Sequence, residues 1–417
     1  MRIPDFPADG TMRTAARSGS GLHGEDDAAR FRAPVSGERG GPVRPGLARV
    51  DGFVQPAGCP QQTAGPVPGG RIDPPRTRSA DGSLVGSSGG GQRAGRSGDG
   101  ARAGHPFDAP VRAGGYAWWY IDALSDDGRF GLTVIAFIGS VFSPYYARAR
   151  RRAPGGAAAA DHHCAVNVAL YGRGAQHWSM TERGAAQLQR SAGSLRIGPS
   201  ALHWADDSLI IDIDEITAPW PTRLRGRIRV HPEQIVRNPV ALARTGGHVW
   251  SPIAPVARVE VDLTQPGVRW SGPGYLDSNR GDAPLEQAFH HWHWSRAHLP
   301  GGRSIVLYEA ARIGDAPLNI GLRFDPDGSV HPITPPPPVT LPKTGWRIDR
   351  ATRCEPAGQA TVRHTLTDAP FYARSVIGTH LLGEPVTAIH ESLSLTRFAS
   401  PWVQAMLPFR MPRRFWT

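Results

Sequence analysis

All 12 tryptophans and all 8 tyrosines of this 417-residue chain lie at or after Tyr116. The preceding stretch is rich in Gly, Ala, Pro, Ser and Arg and has few large apolar side chains. Such a segment cannot bury enough surface to offset the entropy of ordering it. Residues 1–111 therefore read as a disordered low-complexity extension, or as translation from a start codon set too early. No apolar run follows Met1, so a secretory signal is not expected.

From Gly114 onward the chain changes to short strands separated by turns. The aromatic run 116–121, the turn Ser125-Asp126-Asp127-Gly128 and the apolar run 129–141 form a hairpin pattern. Residues 223–230 alternate strictly, with four arginines on one face. Further strand candidates are 166–171, 194–197, 202–204, 209–213, 287–294, 303–311, 318–324, 346–350, 361–366 and 387–395. Helical periodicity is scarce; 401–407 reads as a short terminal helix. This rhythm predicts a mainly β fold of barrels or sandwiches. Its length suggests two domains in tandem, over 112–265 and 266–417, with the seam near 261–274.

The net charge of +11 does not point to nucleic acid. The basic residues are almost all Arg, with one lysine, Lys343, and they are scattered. No Arg-rich helix and no aromatic RNA-binding pattern accompanies them. A basic surface fits an acidic membrane face at least as well. Cys59, Cys164 and Cys354 are far apart and form no CxxC pair, which argues against a disulfide framework or a zinc ribbon. The apolar run 130–142 is too short to span a bilayer as a helix, so any membrane link is expected to be peripheral.

Four features can carry chemistry. In 274–281, Tyr275 and Asp277 are two residues apart and share a face if the segment is a strand. His248 and Trp250 repeat that spacing. In 290–294, His291 and His293 share one strand face, while His290, Trp292 and Trp294 share the other. A His-x-His pair can hold a metal, but spacing supplies no third ligand. An aromatic cavity wall is the simpler reading, and the same holds for Trp118 and Tyr120 in the run 116–121. Taken by themselves, Asp277 reads equally as a surface capping residue and His248–Trp250 as a packed core pair. No GxGxxG is placed between a strand and a helix, the Gly-rich run at 88–91 lies in the low-complexity extension, and from Gly114 onward there is no Walker loop, GxSxG elbow or HExxH.

The strings YAWWYIDALSDDGRFGLTVIAFIGSVFSPYY, GPGYLDSNRGDAPLEQAFHHWHWSRA and LYEA…IGLRFDPDGSV resemble those of the carotenoid 1,2-hydratases, also called hydroxyneurosporene synthases. The resemblance runs from about Gly114 to the C-terminus. It implies tandem lipocalin-like β domains and hydration of the terminal C1=C2 bond of acyclic carotenoids such as neurosporene, lycopene and spheroidene. It implies no cofactor and no metal. The suspected catalytic set of that family, a His, a Trp, a Tyr and an Asp, falls on His248, Trp250, Tyr275 and Asp277. Trp118, Tyr120, Trp292 and Trp294 are the expected substrate-binding aromatics. The partners implied are an acyclic carotenoid, water, membrane lipid and other enzymes of the carotenoid pathway, on the cytoplasmic side of the intracytoplasmic membrane. No nucleic acid is implied.

Hydrating an unactivated alkene begins with protonation at the less substituted carbon, so a strong, well-placed acid is needed. A buried Asp stays protonated at neutral pH. A hydrogen bond to the carboxylate formed would keep it a competent acid, and His248 is the expected donor, or else the group that orients water. Trp250 and Tyr275 are expected to turn π faces to the cation. The rival readings are a non-catalytic carrier of carotenoid or other lipid on the same fold, and a glycosidase pairing Asp277 with Glu286 or Asp282. The C-terminal stretch 407–416 mixes apolar and basic residues and suits an acidic lipid surface as well as a frayed tail.

Overall fold

The computed structural model describes residues 106–414, apart from Arg173, Ala175, Thr245 and Gly246. The extension assigned to 1–111 lies almost wholly outside these residues.

Strands alternate with turns along the described chain, as expected. The first twelve are β1 (Tyr116–Leu124), β2 (Phe130–Ile138), β3 (Cys164–Gly172), β4 (His177–Arg183), β5 (Leu188–Ser191), β6 (Ser194–Ile197), β7 (Ser200–Ala205), β8 (Ser208–Ile216), β9 (Arg223–Pro232), β10 (Val240–Ala241), β11 (His248–Gln265) and β12 (Val268–Gly281). They form one sheet in the order β4-β3-β2-β1-β12-β11-β9-β8-β7-β6-β5, with β10 on β11. The end strand β4 comes back against β8, so the sheet is a nearly closed barrel. Nine more strands follow: β13 (Phe289–Leu299), β14 (Arg303–Arg312), β15 (Leu318–Phe324), β16 (Val330–Pro332), β17 (Pro338–Leu341), β18 (Arg350–Arg353), β19 (Thr361–Asp368), β20 (Tyr372–Leu381) and β21 (Glu384–Ser394). Seven of them make a second sheet, β16-β15-β14-β13-β21-β20-β19, and β17 pairs with β18.

Apolar side chains form three layers. Ile121, Leu132, Val168, Ile211 and Val259 belong to the aliphatic core of the barrel. Ile305, Ile377 and Leu381 pack with Leu341 of β17 in a small third core. Between these lies an aromatic layer containing Tyr116, Trp118, Tyr120, Trp250, Tyr275, Trp292, Trp294 and Tyr308. Strand periodicity produces this split. Trp119, Ile121 and Ala123 of β1 join the barrel core, while Tyr116, Trp118 and Tyr120 join the aromatic layer. A strand apolar on both faces is buried on both.

The structure redraws several sequence-based boundaries. The expected seam at 265/266 falls in the turn joining β11 to β12, which pair along their length in the first sheet. The chain passes to the second sheet between Gly281 and Phe289. Two hydrophobic runs joined by a turn look alike whether the turn closes a hairpin or links two sheets. A turn at 345–346 and the irregular stretch 347–349 stand where a strand was expected, and the strand begins at Arg350. Helix α1 (Pro144–Arg152) was not anticipated, although Ser143 caps it by accepting from the Tyr145 and Tyr146 amides and Pro144 opens it. Helices α2 (Leu285–Ala288), α3 (Leu395–Phe398) and α4 (Pro401–Met406) are short, and α4 matches the expected terminal helix.

The four-arginine face of β9 meets acids of its own sheet. Arg223 and Arg227 bond Asp214 and Asp212 of β8. Pro252 and Pro255 interrupt β11, and its pairing with β12 shifts register between Pro252 and Ala257. A proline gives the ladder no N–H, so bulges are where a central strand tolerates it.

Candidate active site

β12 is central, between β1 and β11, so its residues are placed by two ladders at once. Tyr120 lies opposite Asp277 on one side, and Pro252 lies opposite Asp277 on the other. Tyr275 and Asp277 share one face and point into the aromatic layer, as the spacing predicts. Trp250 points the same way from β11.

These three residues converge. Asp277 Oδ2 accepts from the Trp250 indole N–H at 2.8 Å and from the Tyr275 hydroxyl at 2.9 Å. Its second oxygen, Oδ1, is buried with no partner. Burial pushes the Asp277 carboxyl up to about 8, against the two hydrogen bonds that favour its anion. Glu391 and Asp122 add to the upward push by like-charge repulsion. The carboxyl is thus protonated at neutral pH, and Oδ1, the oxygen without a donor, is where the proton fits.

His248 does not join this group. It is buried, its Nδ1 is 3.0 Å from the Tyr116 hydroxyl, and its ring meets the edge of Phe289. Burial moves its pKa down, against Asp282, so it is neutral at pH 7. The expected hydrogen bond from His248 to Asp277 is replaced by those of Trp250 and Tyr275. The reason is register: His248 pairs with Gly281, four residues beyond Asp277. Gly281 also faces Tyr116, and a Cβ there would stand 2.4 Å from the Tyr116 ring and 2.6 Å from His248 Nδ1. The closing glycine of the 274–281 motif thus makes room for the Tyr116–His248 pair. Tyr116 in turn stacks on Trp118, with ring centroids 4.8 Å apart.

A cavity of about 450 Å³ opens beside this group. Three of the four expected substrate aromatics, Trp118, Tyr120 and Trp292, line it. Trp294 does not; it packs against Tyr120 and Tyr275. Asp277 is not itself part of the lining, whereas Tyr120, its cross-strand neighbour, is. Most of the wall is apolar, with Phe137, Phe371, Leu393 and Val403 among it. Met406 and Phe409 of the C-terminal segment also line it, and their exposures of 42% and 76% mark the rim.

Sequence reasoning missed an ionic group on the same layer. Asp122 of β1 is fully buried and bonds Arg296 Nε at 2.8 Å and Arg374 Nη2 at 2.7 Å. Arg374 also bonds Glu391. The Tyr120 hydroxyl donates toward Asp122 and Glu391, 2.9 Å from each. Burial pushes the Asp122 carboxyl up, but the two guanidiniums overcome this and hold it below the usual range. Two carboxylates and two guanidiniums cancel, so an ionised Asp277 nearby would be the uncompensated charge. The available signal was a charged residue inside each apolar strand: Asp122 in YAWWYIDAL, Arg374 in YARSVIGTHL and Arg296 in FHHWHWSRAHL.

Glu286 pairs with Arg150 and Asp282 with Arg112, so neither is engaged with Asp277. Among the described residues, no group of three or more His, Cys, Asp or Glu side chains is placed to hold a metal.

The raised Asp277 pKa has a thermodynamic consequence. Between the unfolded value near 4 and the folded value near 8, the folded state binds the extra proton, so stability falls as pH rises through this window. In urea denaturation, wild type is expected to lose stability relative to Asp277→Asn from about pH 5 to 8, by up to about 1.4 kcal/mol per pH unit. A difference independent of pH would mean that the carboxyl is ionised.

The family model for the carotenoid hydratase CrtC matches residues 134–417. An acyclic carotenoid 1,2-hydratase of Thiocapsa roseopersicina is 52% identical over 93% of this chain and 93% of its own length. One of Rubrivivax gelatinosus is 46% identical over 99% of this chain and 100% of its own length. One of Cereibacter sphaeroides is 40% identical over 67% of this chain and 98% of its own length. A family match across most of the described barrel and second sheet, with relatives this similar over nearly their full length, shows that the chain belongs to the CrtC carotenoid hydratases, which are hydro-lyases.

Proposed function

We propose that this hydratase adds water across the terminal C1=C2 bond of acyclic carotenoids such as neurosporene and lycopene, with Asp277 as the acid. The observation that carries the reading is the buried Asp277 carboxyl, with Oδ1 unpartnered and its pKa raised by burial, in the aromatic layer whose Trp118, Tyr120 and Trp292 line a mostly apolar cavity. The cavity is of the size usual for a small ligand, so it admits one end group while the rest of the polyene stays outside.

Asp277 gives its proton to C2, whose π pair forms the new C–H bond and leaves a tertiary cation at C1. The carboxylate formed keeps the hydrogen bonds from Trp250 and Tyr275. These bonds strengthen as charge appears on oxygen, which favours the transition state over the ground state. Asp277 is not part of the lining, so the wall around Tyr120 has to move aside for the end group to reach Oδ1. Such contacts commonly tighten only once substrate is bound. Trp118, Tyr120 and Trp292 offer π faces to the cation, each contributing roughly 1–2 kcal/mol when desolvated. His248 acts as a positioning residue, holding Tyr116 and through it Trp118.

The substrate is delivered from a membrane surface in this reading. The rim residues Met406 and Phe409, together with the 48%-exposed Trp402, present apolar side chains beside Arg410, whose guanidinium lies 4.6 Å from the Trp178 ring. Apolar insertion flanked by basic residues suits an anionic lipid face on the cytoplasmic side.

Incubation of the wild type with lycopene in ¹⁸O-water is expected to give a product one water heavier, carrying the label, with an unchanged visible chromophore. Asp277→Asn should bind lycopene and lose hydration by at least about a hundredfold. Near wild-type turnover by the variant would remove Asp277 from its role, and binding without mass gain by the wild type would favour a carrier. The wild type should also float with anionic vesicles more than with neutral ones, and Phe409→Ser with Trp402→Ser should weaken this. Equal flotation of all samples would count against delivery through this rim.

A further inference from the structure

We infer that Glu391 is the base that takes the proton from the attacking water. This rests on the hydration reading above. It concerns the second half of the reaction, after the alkene has been protonated.

The acid step leaves a cation at C1 and an anion at Asp277. A water molecule that bonds C1 becomes an oxonium, which must lose a proton before the alcohol can leave. The Asp277 carboxylate, left beside C2, can take back the proton it has just delivered, which reverses the reaction, in competition with loss of the oxonium proton. A separate acceptor on the cavity wall favours the latter.

Among the described residues that line the cavity, Glu391 is the only carboxylate. Its side chain keeps 13% exposure on a wall that is mostly apolar. β21 lies between β13 and β20, and Glu391 pairs with Trp294 on one side and Arg374 on the other, so its backbone is fixed by two ladders. Arg374 and the Tyr120 hydroxyl hold Oε1, and Tyr372, another lining residue, also bonds the group. A cavity for hydrocarbon gains nothing from a charged wall, since desolvating a carboxylate is costly. Water, the other substrate, does gain from it: Thr133, Asn167 and Thr367 can also accept a hydrogen bond from water, but the Glu391 carboxylate is the one wall group that can accept it and then take up the proton. A carboxylate already bonded to Arg is a weak base, but a water adding to a tertiary cation is a strong acid, so a weak base suffices.

Asp277 loses a proton to C2; a lone pair of water forms the C1–O bond; the oxonium O–H bond breaks and its proton passes to the Glu391 carboxylate. When product leaves, Glu391 releases that proton to solvent and Asp277 regains one, so the enzyme returns to its starting state with no other reactant.

The test uses the full chain with lycopene in vesicles made up in D₂O, and reads both product and recovered substrate by mass. Glu391→Gln keeps the side-chain shape and an acceptor for Tyr120. It is expected to reduce hydration by about a hundredfold or more with KM unchanged. Its cation, unable to complete hydration, should collapse back to alkene; where the hydrogen lost is the original one on C2 or one of a C1 methyl group, and not the deuteron delivered, the recovered lycopene or its terminal-methylene isomer carries deuterium. Hydration within about threefold of wild type overturns the assignment. So does a folded variant whose loss of hydration lies in KM with kcat unchanged, because Glu391 would then serve the packing around the substrate. If Glu391→Gln is unfolded by circular dichroism, Glu391→Asp carries the test: kcat should fall with KM unchanged, and a wild-type kcat or a change confined to KM overturns the proposal. A wild type that gives neither product nor deuterated lycopene contradicts the hydration reading itself.

Discussion

Asp122, Arg296, Arg374 and Glu391 tie the barrel to the second sheet through a largely buried layer, with Glu391 at its edge on the cavity. Asp122 belongs to β1 of the barrel, whereas the two arginines and Glu391 come from β13, β20 and β21. Breaking such a buried group by deleting one member costs about 3–5 kcal/mol, because a charge is left unpaired. The same group fixes the local charge balance. With its own charges cancelled, it leaves no cation free to stabilise an ionised Asp277, and burial then keeps that carboxyl protonated. The inter-sheet joint and the acidity of the site are therefore one electrostatic arrangement.

The division of labour among the aromatic residues follows from this. Trp250 and Tyr275 are joined to Asp277 by their polar ends, so their chief effect is on how readily it gives up a proton. Trp118, Tyr120 and Trp292 are the rings that face the cavity. Tyr120 takes part in both, since its ring lines the cavity while its hydroxyl is tethered to Asp122, Glu391 and Arg374. A change at Tyr120 should thus disturb the cavity wall and the ionic group together.

Strand identity and facing were legible in the sequence because side-chain alternation is a local property. The β1–β2 hairpin, the alternation of β9 and the shared face of Tyr275 and Asp277 all depend on neighbours within a few residues. The convergence of Trp250, Tyr275 and Asp277 was only partly legible: two i, i+2 pairs were visible, but their register across β11 and β12 was not. Prolines and bulges in β11 set that register, and they place His248 against Tyr116. Nothing local links Asp122 to Arg374 or Tyr120 to Glu391, which are 252 and 271 residues apart. Such pairs arise only when the outer face of the barrel meets the second sheet, a packing that short-range periodicity does not encode.

Whether the Asp277 carboxyl carries a proton in the folded enzyme at neutral pH decides whether it can act as the acid. Infrared difference spectroscopy of wild type against Asp277→Asn measures this directly, through the C=O stretch of a protonated carboxyl and its shift in D₂O. A protonated-carboxyl band is expected at pH 7 that is missing from the variant and titrates away near pH 8. A wild-type spectrum at pH 7 with only carboxylate bands attributable to Asp277 would contradict it.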